Sequence, residues 1–379
     1  MILKKLISEI NPQKIIGKTG MEIRNIVYDS RQAEKGSLFV CIEGFKVDGH
    51  SFIEQAVNNG AKAVLIEKEI DNYLPEITYV KVADSRTALG YLSAAFYNHP
   101  LKNLELIGVT GTNGKTTTTY LIKDMLESAG YGTGLVGTIK NIIGNKTLPA
   151  VNTTPKSLDL YRLFDKMVSG GLSHCVMEVS SHALDLKRVV GMCFKVGIFT
   201  NISQDHLDFH KSLTEYLKVK SRLFRQLSKD GFAVVNIDDR GSKMIIESSR
   251  GEVITYGIKE KADLNAKNID ITSRGVSFDI EGIRNFSINM KLTGLFNVYN
   301  TLAAAACGCA LNLTTKQIKD ALESIEGVAG RFELVDEGQE FSVVVDYAHT
   351  PDGMENVLKT ALEFVTGKII VVFGCGGDR

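Results

Sequence analysis

A glycine-rich loop at residues 108–117, with the sequence GVTGTNGKTT, contains the residue types that bind nucleotide phosphate. An apolar strand is predicted before it, at 106–109, and a helix after it, at 115–128. The backbone NH groups of such a turn can surround phosphate oxygens, while Lys115 adds a positive charge and the Thr116 hydroxyl can bind Mg²⁺. Val109 stands where the usual motif has its first glycine, so the strand and helix around the loop carry the prediction. We predict an ATP or GTP site formed by Gly111, Thr112, Asn113, Gly114, Lys115, Thr116 and Thr117.

Two further candidate side chains follow apolar runs that are predicted to be buried strands. Glu178 is the next-to-last residue of the run CVMEV, and His206 follows the run VGIFTNI. Because ligands of parallel sheets gather at the carboxyl ends of the strands, both are placed for a role in binding. A buried carboxylate needs a cation, so Glu178 is either a metal ligand or half of a salt bridge. Mg²⁺ prefers oxygen ligands, so by residue type alone His206 would shape its loop.

Three more polar residues have an ordinary structural interpretation when they are taken alone. Lys220 lies in a helix that Ser212 and Glu215 start as a capping box, and its spacing by itself predicts a surface lysine. Asn297 and Asn300 are three positions apart at the start of an Ala-rich helix and therefore share one face. In the structural interpretation, one of these two asparagines caps that helix.

The hydrophobic pattern along the chain predicts an α/β protein with three domains, at 1–100, 101–331 and 332–379. The first alternates short β-like runs with helices. The second has continuous apolar strands separated by helices, which is typical of a parallel sheet covered on both faces. An alternating segment at 263–292 follows and predicts an antiparallel meander packed against that sheet. The third is predicted to have strands at 341–345 and 368–373 and a helix at 351–364, and the chain ends directly after GCGGDR, so we expect this domain to be incomplete.

Composition excludes several classes of protein. The 379 residues include 44 basic and 44 acidic side chains, so no global positive field favours nucleic-acid binding. Apolar runs are too short for membrane insertion, and the first ten residues lack the features of a secretory signal, which predicts a soluble cytoplasmic protein. The six cysteines have neither metal-site nor disulfide-scaffold spacing and are expected to be mostly reduced packing residues.

The sequence resembles the Mur ligases, ATP-dependent enzymes that form amide bonds in peptidoglycan precursor synthesis. Seven motifs occur in the order seen in that family, and the resemblance extends from the DSR of 29–31 to the last residue. The motifs are TGTNGKTT, MEVSSH at 177–182, TNISQDHLDFH at 200–210, GLFNVYN at 294–300, GRFE at 330–333, DYAHTPD at 346–352 and GCGGDR at 374–379. VNTTP, MEVSSH and DYAHTPD together are most similar to the ligases that add a diamino acid to UDP-MurNAc-L-Ala-D-Glu.

The resemblance implies a fold and a reaction. The fold is an N-terminal α/β domain that binds the UDP-sugar, a central P-loop ATPase domain with a mostly parallel sheet plus a small antiparallel sheet, and a Rossmann-like C-terminal domain. Joining a carboxylate to an amine needs activation of the carboxylate, here by transfer of the ATP γ-phosphoryl group to give an acyl phosphate. Such chemistry depends mainly on positioning and on neutralising phosphate charge.

The resemblance also implies a role for each candidate residue. The catalytic residues are Lys115, Lys220 and His206, and two Mg²⁺ ions are held by Thr116, Glu178, His206 and a carbamoylated Lys220. Asn297 and Asn300 lie near the nucleotide base, Arg331 reaches the phosphates and Asp346 the ribose. The UDP-sugar contacts Ser30, Phe45, Lys46 and Val47 at the uridine end, Asn152, Thr153 and Thr154 at the diphosphate and sugar, and Ser180 and Arg188 at the muramoyl-peptide arm.

Several alternatives stay open at this point. The diamino acid is meso-diaminopimelate or L-lysine, because the family's selecting residues lie beyond residue 379. Enzymatic rivals on the same scaffold are the fourth-step ligase, folylpolyglutamate synthase and cyanophycin synthetase, against which the DSR and VNTTP motifs argue. A protein that binds nucleotide and UDP-sugar without turnover is another possibility, whereas a P-loop GTPase would need an NKxD-type base reader, which the sequence lacks. Relatives are commonly monomeric, so we expect a monomer.

Overall fold

The computed structural model of the protein describes residues 1–204, 209–349 and 351–374, without the side chains of Asp352 and Glu363. The chain divides into two compact units. Unit 1 comprises Met1–Leu104, Thr154–Ser169 and His182–Met192, and unit 2 comprises Glu105–Thr153, Gly170–Ser181 and Cys193–Arg379. The domain limits at residues 100 and 331 stay predictions.

The described residues contain strands and α-helices with the following bounds. The strands are β1 (Lys14–Ile16), β2 (Asn25–Val27), β3 (Ser37–Val40), β4 (Ala61–Ile66), β5 (Thr78–Lys81), β6 (Glu105–Thr110), β7 (Thr133–Val136), β8 (Lys140–Ile143), β9 (Lys146–Pro149), β10 (His174–Glu178), β11 (Phe194–Phe199), β12 (Leu227–Asn236), β13 (Glu252–Gly257), β14 (Leu264–Thr272), β15 (Gly275–Gly282), β16 (Phe286–Met290), β17 (Glu333–Val335) and β18 (Val343–Val345). The helices are α1 (Leu3–Ile7), α2 (Ile53–Asn58), α3 (Ser85–Phe96), α4 (Lys115–Ser128), α5 (Ser157–Ser169), α6 (Ser181–Asp185), α7 (Leu213–Lys220), α8 (Ser242–Ser248), α9 (Leu295–Ala310), α10 (Thr315–Ser324) and α11 (Pro351–Phe364).

Unit 1 is built on a five-stranded sheet in the order β1-β5-β4-β3-β2. Strands β2 to β5 are parallel, and β1 joins β5 in the antiparallel direction. One face of the sheet packs against α1, α3 and the first turn of α5, and the other packs against α2. Since helices cover both faces, β3 is buried at all four positions, as its continuous apolar run predicts.

Unit 2 is built on an eleven-stranded sheet in the order β16-β15-β14-β13-β12-β11-β6-β10-β7-β8-β9. The strands from β7 to β14 in this order run parallel, and antiparallel pairs extend the sheet at both ends. The α/β class is therefore confirmed. The meander at β14–β16 was expected to pack against the main sheet, but it continues that sheet edge to edge, because β14 hydrogen-bonds to β13.

Helices α4, α9 and α10 cover one face of the large sheet and form its main core. Ala303, Ala304, Ala305 and Ala306 are completely buried in α9, where their small side chains allow α4 and α9 to pack closely. Leu121, Ile122 and Met125 of α4 are also completely buried. This packing fixes the start of α4, which follows the glycine-rich loop.

After residue 331 the described chain forms a two-stranded antiparallel pair, β17 and β18, and the helix α11. The helix has the bounds that the sequence predicts. The predicted strand at 368–373 is wrong, since no strand forms there and Ile370 and Val372 are 78% and 94% exposed. An apolar run forms a strand only where another strand supplies backbone partners, and none of the described strands pairs with this run. Among the described residues, no helix is long and apolar enough to span a membrane.

Candidate active site

The glycine-rich loop connects β6 to α4, as the sequence predicts. Gly111 and Gly114 have φ values of +153° and +83°, which side-chain-bearing residues rarely adopt. A Cβ on Gly111 would overlap the Thr200 hydroxyl, and one on Gly114 would overlap the Asn300 amide oxygen. The loop therefore requires glycine at both positions, for its backbone angles and for its close neighbours.

A second segment, residues 200–203 directly after β11, holds the loop in place. The Thr200 hydroxyl donates to the Asn113 carbonyl at 2.6 Å, and the Asn113 NH donates to the Asn201 side chain at 2.9 Å. The Ser203 NH donates to the Thr112 hydroxyl at 3.0 Å. Because β6 and β11 are neighbours in the sheet, the loop is positioned by the strand edge as well as by its own turn.

Two lysines meet at the carbonyl oxygen of Gly111. Lys115 Nζ donates to this oxygen at 3.0 Å and to the Thr112 carbonyl at 2.7 Å, and Lys220 Nζ donates to the Gly111 oxygen at 2.8 Å. Since one oxygen accepts both bonds, the two ammonium nitrogens lie within about 6 Å of each other. The structure thus brings together the two lysines that the sequence analysis named as catalytic.

Lys220 is the last residue of α7 and is only 1% exposed, so the surface position that spacing alone predicted is wrong. Its Nζ also lies 4.3 Å from the ring centroid of Tyr216, one turn earlier. Lys218, the neighbouring candidate, is exposed. The helix turns Lys220 toward the core because Tyr216, Leu217 and Val219 bury the same side of α7.

Glu178 ends β10 and is 1% exposed. Its Oε1 accepts from the Thr138 NH at 2.8 Å and lies 3.1 Å from the Thr116 hydroxyl, and its Oε2 accepts from the Thr138 hydroxyl at 2.9 Å. These bonds compensate part of the cost of burying the carboxylate. Thr138 was not named from the sequence, although its position just after β7, next to β10 in the sheet, would have indicated it.

The oxygens of Thr116 and Glu178 form a donor pair of the kind that Mg²⁺ prefers. Within the ranges that the structure describes, no group of three or more His, Cys, Asp or Glu side chains is arranged to hold a metal. The candidate ligand His206 lies outside those ranges. The two oxygen donors fit the metal, and the complete ligand set stays a prediction.

The remaining candidates for nucleotide binding come from α9 and from the chain near β17 and β18. Arg331 donates through Nη2 to the Thr116 hydroxyl at 2.8 Å, and its guanidinium lies 4.8 Å from the Tyr347 ring centroid. Asp346 accepts from the backbone NH groups of Phe332 and Ala348, both at 2.7 Å. Arg331 and Asp346 therefore come to the same side of the site as the glycine-rich loop.

Neither asparagine of α9 caps that helix, because its N-terminal cap is Gly294. The Asn300 oxygen lies against the glycine-rich loop and is 3.4 Å from the Thr118 hydroxyl. Asn297 is 1% exposed, donates to the Thr293 carbonyl at 2.8 Å and accepts from Asn300 at 3.0 Å. Asn300 lines the cavity of the site, whereas Asn297 lies behind it and supports Asn300.

A cavity of ≈ 440 Å³ joins these groups within unit 2, a size typical of small-molecule sites. It is lined by the glycine-rich loop from Thr112 to Thr117 and by seven other candidate residues. These are Thr153, Glu178, Ser180, Lys220, Asn300, Arg331 and Asp346. The sequence analysis did not identify its aromatic wall of Tyr256, Phe296 and Tyr299, although Phe296 and Tyr299 lie in the GLFNVYN motif beside the two asparagines that it named. Such a wall suits the base of a nucleotide.

The residues proposed for the UDP-sugar are divided between the two units. In unit 1, Ser30 is 5% exposed and donates to Gln55 at 2.6 Å, while Phe45 and Val47 are 76% and 55% exposed, and Lys46 between them is also exposed. Arg188 of unit 1 donates to the Thr154 carbonyl at 2.7 Å.

In unit 2, Asn152 is exposed, and the Thr153 hydroxyl lies 3.0 Å from that of Thr138, which holds Glu178. Thr153 and Ser180 line the cavity of unit 2. The boundary between the units thus falls within the predicted substrate loop, between Thr153 and Thr154.

Comparison with known families finds three matches in succession along the chain. A Mur ligase family catalytic domain matches residues 22–97, a Mur ligase middle domain matches 109–308, and a Mur ligase glutamate ligase domain matches 330–379. Together these matches cover more than half of the chain.

Individual proteins are similar over the same length. UDP-N-acetylmuramoyl-L-alanyl-D-glutamate--2,6-diaminopimelate ligase 1 of Clostridium acetobutylicum is 47% identical over 100% of this chain and 78% of its own length. The corresponding ligase of Bacillus velezensis is 49% identical over 94% of this chain and 74% of its own.

Solved structures have the same fold. A structure of UDP-N-acetylmuramoyl-L-alanyl-D-glutamate--2,6-diaminopimelate ligase superposes with a TM-score of 0.83 at 30% identity, over 99% of this chain and 77% of that one. A MurF ligase from Thermotoga maritima in complex with ADP has a TM-score of 0.63 at 21% identity, over 89% of this chain and 74% of that one, and is similar in fold alone.

Proposed function

The chain belongs to the Mur ligase family, and we propose that it is the ADP-forming ligase that adds a diamino acid to UDP-MurNAc-L-Ala-D-Glu in peptidoglycan precursor synthesis. The observation that carries the proposal is the meeting of Lys115, Lys220 and Glu178 around one cavity. The relatives are named for 2,6-diaminopimelate, so this is the amine that we propose. Enzymes of this family use ATP and Mg²⁺.

In the proposed reaction, the terminal D-Glu carboxylate of the UDP-linked substrate takes the γ-phosphoryl group of ATP and releases ADP. The amine of the diamino acid then attacks the acyl phosphate carbon, and phosphate leaves as the amide bond forms. The backbone NH groups of the glycine-rich loop and Lys115 would hold the β- and γ-phosphates in line with the carboxylate. Arg331, bonded to Thr116, would stabilise the charge that moves between them.

Mg²⁺ would supply electrostatic stabilisation of the transferred phosphoryl group. Its proposed ligands are Thr116, Glu178, His206 and Lys220, with Lys220 carbamoylated by CO₂. The modification converts a buried ammonium into an anion, and two features support it: the burial of Lys220 and its closeness to the second cation, Lys115. Asn300, Asp346 and the wall of Phe296 and Tyr299 would position the base and ribose, with Asn297 behind Asn300.

The test is phosphate release by the purified protein with ATP, Mg²⁺, UDP-MurNAc-L-Ala-D-Glu and meso-diaminopimelate. We expect release that requires all four components and a product whose mass has increased by one diaminopimelate residue. L-Lysine in a parallel reaction measures the selection of the amine. Turnover with the tripeptide substrate and D-Ala-D-Ala, or with folate and glutamate, would instead assign one of the related ligases. ATP binding without turnover would favour a binding protein. The cytoplasmic location and the monomeric state stay predictions.

A further inference from the structure

Three cationic side chains of unit 1, Lys156, Arg188 and Arg86, come from segments that pack together, since a Cβ on Gly90 of α3 would meet Val190 and the Ser157 hydroxyl. Lys156 is half-buried just before α5, and its Nζ lies 4.0 Å from the centroid of the Tyr28 ring. Arg86 donates to the Glu43 carbonyl oxygen at 2.7 Å, and Arg188 donates to that of Thr154. In the part of the chain that the structure describes, none of these three cations forms an ion pair.

The backbone around Lys156 is fixed by Arg188. The Arg188 side chain binds the Thr154 carbonyl at 2.7 Å, and the Arg188 carbonyl accepts from the Ser157 hydroxyl at 3.0 Å. Lys156 lies between these two attachment points. The ammonium and the guanidinium are therefore held near each other by the fold, although their charges repel.

The nearest carboxylates are already occupied by other donors. Asp159 accepts from the Tyr28 hydroxyl at 2.5 Å and lies 3.5 Å from Arg162, and Asp29 is bound by two nitrogens of Arg31 at 2.9 and 2.7 Å. The carboxylate of Glu43 pairs with Lys68, and Asp84 pairs with Lys187. These carboxylates are thus engaged by other donors and balance the positive charge of the three-cation cluster only in part.

The electrostatic effects within the cluster agree with this geometry. Burial, and after it the charge of Arg188, lower the pKa of Lys156, while Asp159 and Asp29 act in the opposite direction. Burial, and after it Arg86, lower the pKa of Arg188. Half-buried like charges held near one another are unfavourable until an anion joins them.

We propose that Lys156, Arg188 and Arg86 bind the diphosphate that links uridine to the sugar in the nucleotide-sugar substrate. The proposal rests on the proposed function, which supplies a substrate with such a diphosphate, and it adds Lys156 and Arg86 to the expected contacts. It also assigns Arg188 to the diphosphate, where the family resemblance implied the muramoyl-peptide arm. Guanidinium groups bind phosphate through paired NH donors, and an ammonium adds a point charge, so the cluster matches a dianionic group better than a single carboxylate.

The test compares binding of UDP, uridine and UDP-MurNAc-L-Ala-D-Glu by calorimetry to the unmodified protein, Lys156→Met and Lys156→Arg. We expect Lys156→Met to weaken UDP and substrate binding about tenfold or more, because a charged hydrogen bond to phosphate is lost. Uridine and ATP binding should be unchanged, and Lys156→Arg should retain most of the affinity. Lys166→Met, an exposed change on the same helix α5, is the matched control and should bind like the unmodified protein.

Two results would overturn this assignment. One is unchanged UDP binding in a Lys156→Met protein whose thermal unfolding is normal. The other is weakened binding of the dipeptide substrate with UDP unaffected, which would place the cations at the peptide carboxylates. Both readouts are binding constants, so a protein that binds UDP through Lys156 and yet lacks ligase turnover would refute only the proposed function.

Discussion

The position of Lys220 in the structure differs from the position that its sequence spacing predicts. Its spacing within α7 is that of a solvated lysine, yet its Nζ is buried against the Tyr216 ring and the Gly111 carbonyl. Burying an ammonium is costly, and placing it close to Lys115 adds repulsion. We propose that a functional role accounts for this cost, since a carbamate at the same position would turn the repulsion into attraction.

Replacement of this lysine tests the proposed modification. We expect Lys220→Ala to reduce phosphate release on the order of 100-fold, the typical cost of losing one electrostatic group at a reacting centre. Short carboxylic acids such as acetate should partly restore turnover by supplying the missing carboxylate. Lys218→Ala, which removes an exposed lysine from the same helix, should leave turnover unchanged. Normal activity of Lys220→Ala would contradict the proposed metal site.

At the scale of elements, hydrophobic periodicity and turn residues predicted most of the helices and strands around the site. Helices α4 and α11 have the predicted bounds. The predictions that differ, the meander and the strand at 368–373, both concern pairing between strands. Pairing depends on backbone partners that are distant in sequence, so a local pattern does not contain it.

The glycine-rich loop should not tolerate a side chain at Gly111. In Gly111→Ala the new methyl group would overlap the Thr200 hydroxyl at a backbone angle of +153°. We expect the loop to shift, ATP affinity to fall at least about tenfold and the melting temperature to decrease. Calorimetric titration with ATP measures the first effect. Gly327→Ala is the control, because its added methyl group meets nothing within 4 Å and its φ is not positive. ATP affinity that is equal in the two variants would refute this role of the loop.

The cap of α10 makes a prediction about stability alone. Thr314 accepts from the Gln317 NH at 3.2 Å, and the Gln317 side chain accepts from the Thr314 NH at 3.0 Å. We expect Thr314→Ala to lower the free energy of unfolding by about 1 kcal/mol in urea denaturation, because a helix donor loses its acceptor. Thr315→Ala removes a hydroxyl that does not cap and should change it by less than about 0.5 kcal/mol. If both variants lost the same free energy, the cap would not be the cause.

At the scale of the whole molecule, chain order and spatial order differ. Residues 154–169 and 182–192 lie in sequence between strands of the large sheet, yet they belong to unit 1. Leu158 of α5, for example, packs in the core formed by α1 and α3. The motifs TTP and SSH therefore mark two of the five places where the chain passes from one unit to the other.

The reactivity of the cysteine thiols measures whether the cores of the protein stay folded. Cys41, Cys175 and Cys307 are completely buried, and burial raises the pKa of each thiol, whereas Cys193 is exposed. Of these four thiols, we expect iodoacetamide to modify Cys193 under native conditions and the three buried ones only on unfolding, because alkylation needs an accessible thiolate. Mass spectrometry of tryptic peptides against urea concentration measures the order. Modification of Cys41 or Cys307 in native buffer at the rate of Cys193 would show that the cores open locally.

The order of the motifs, the types of most elements and the class of chemistry could be predicted from the amino-acid sequence. These properties are local, since they depend on hydrophobic period, on turn residues and on a few adjacent side chains. Three features became visible only in the folded chain: Lys220 donates to the Gly111 carbonyl from 109 residues away, Thr138 donates to Glu178, and Asn297 lies behind Asn300. Polar side chains lose contact with water and come close to one another only when distant segments of the chain pack together. The spacing of residues along the chain therefore does not show which polar side chains will share the same buried oxygen.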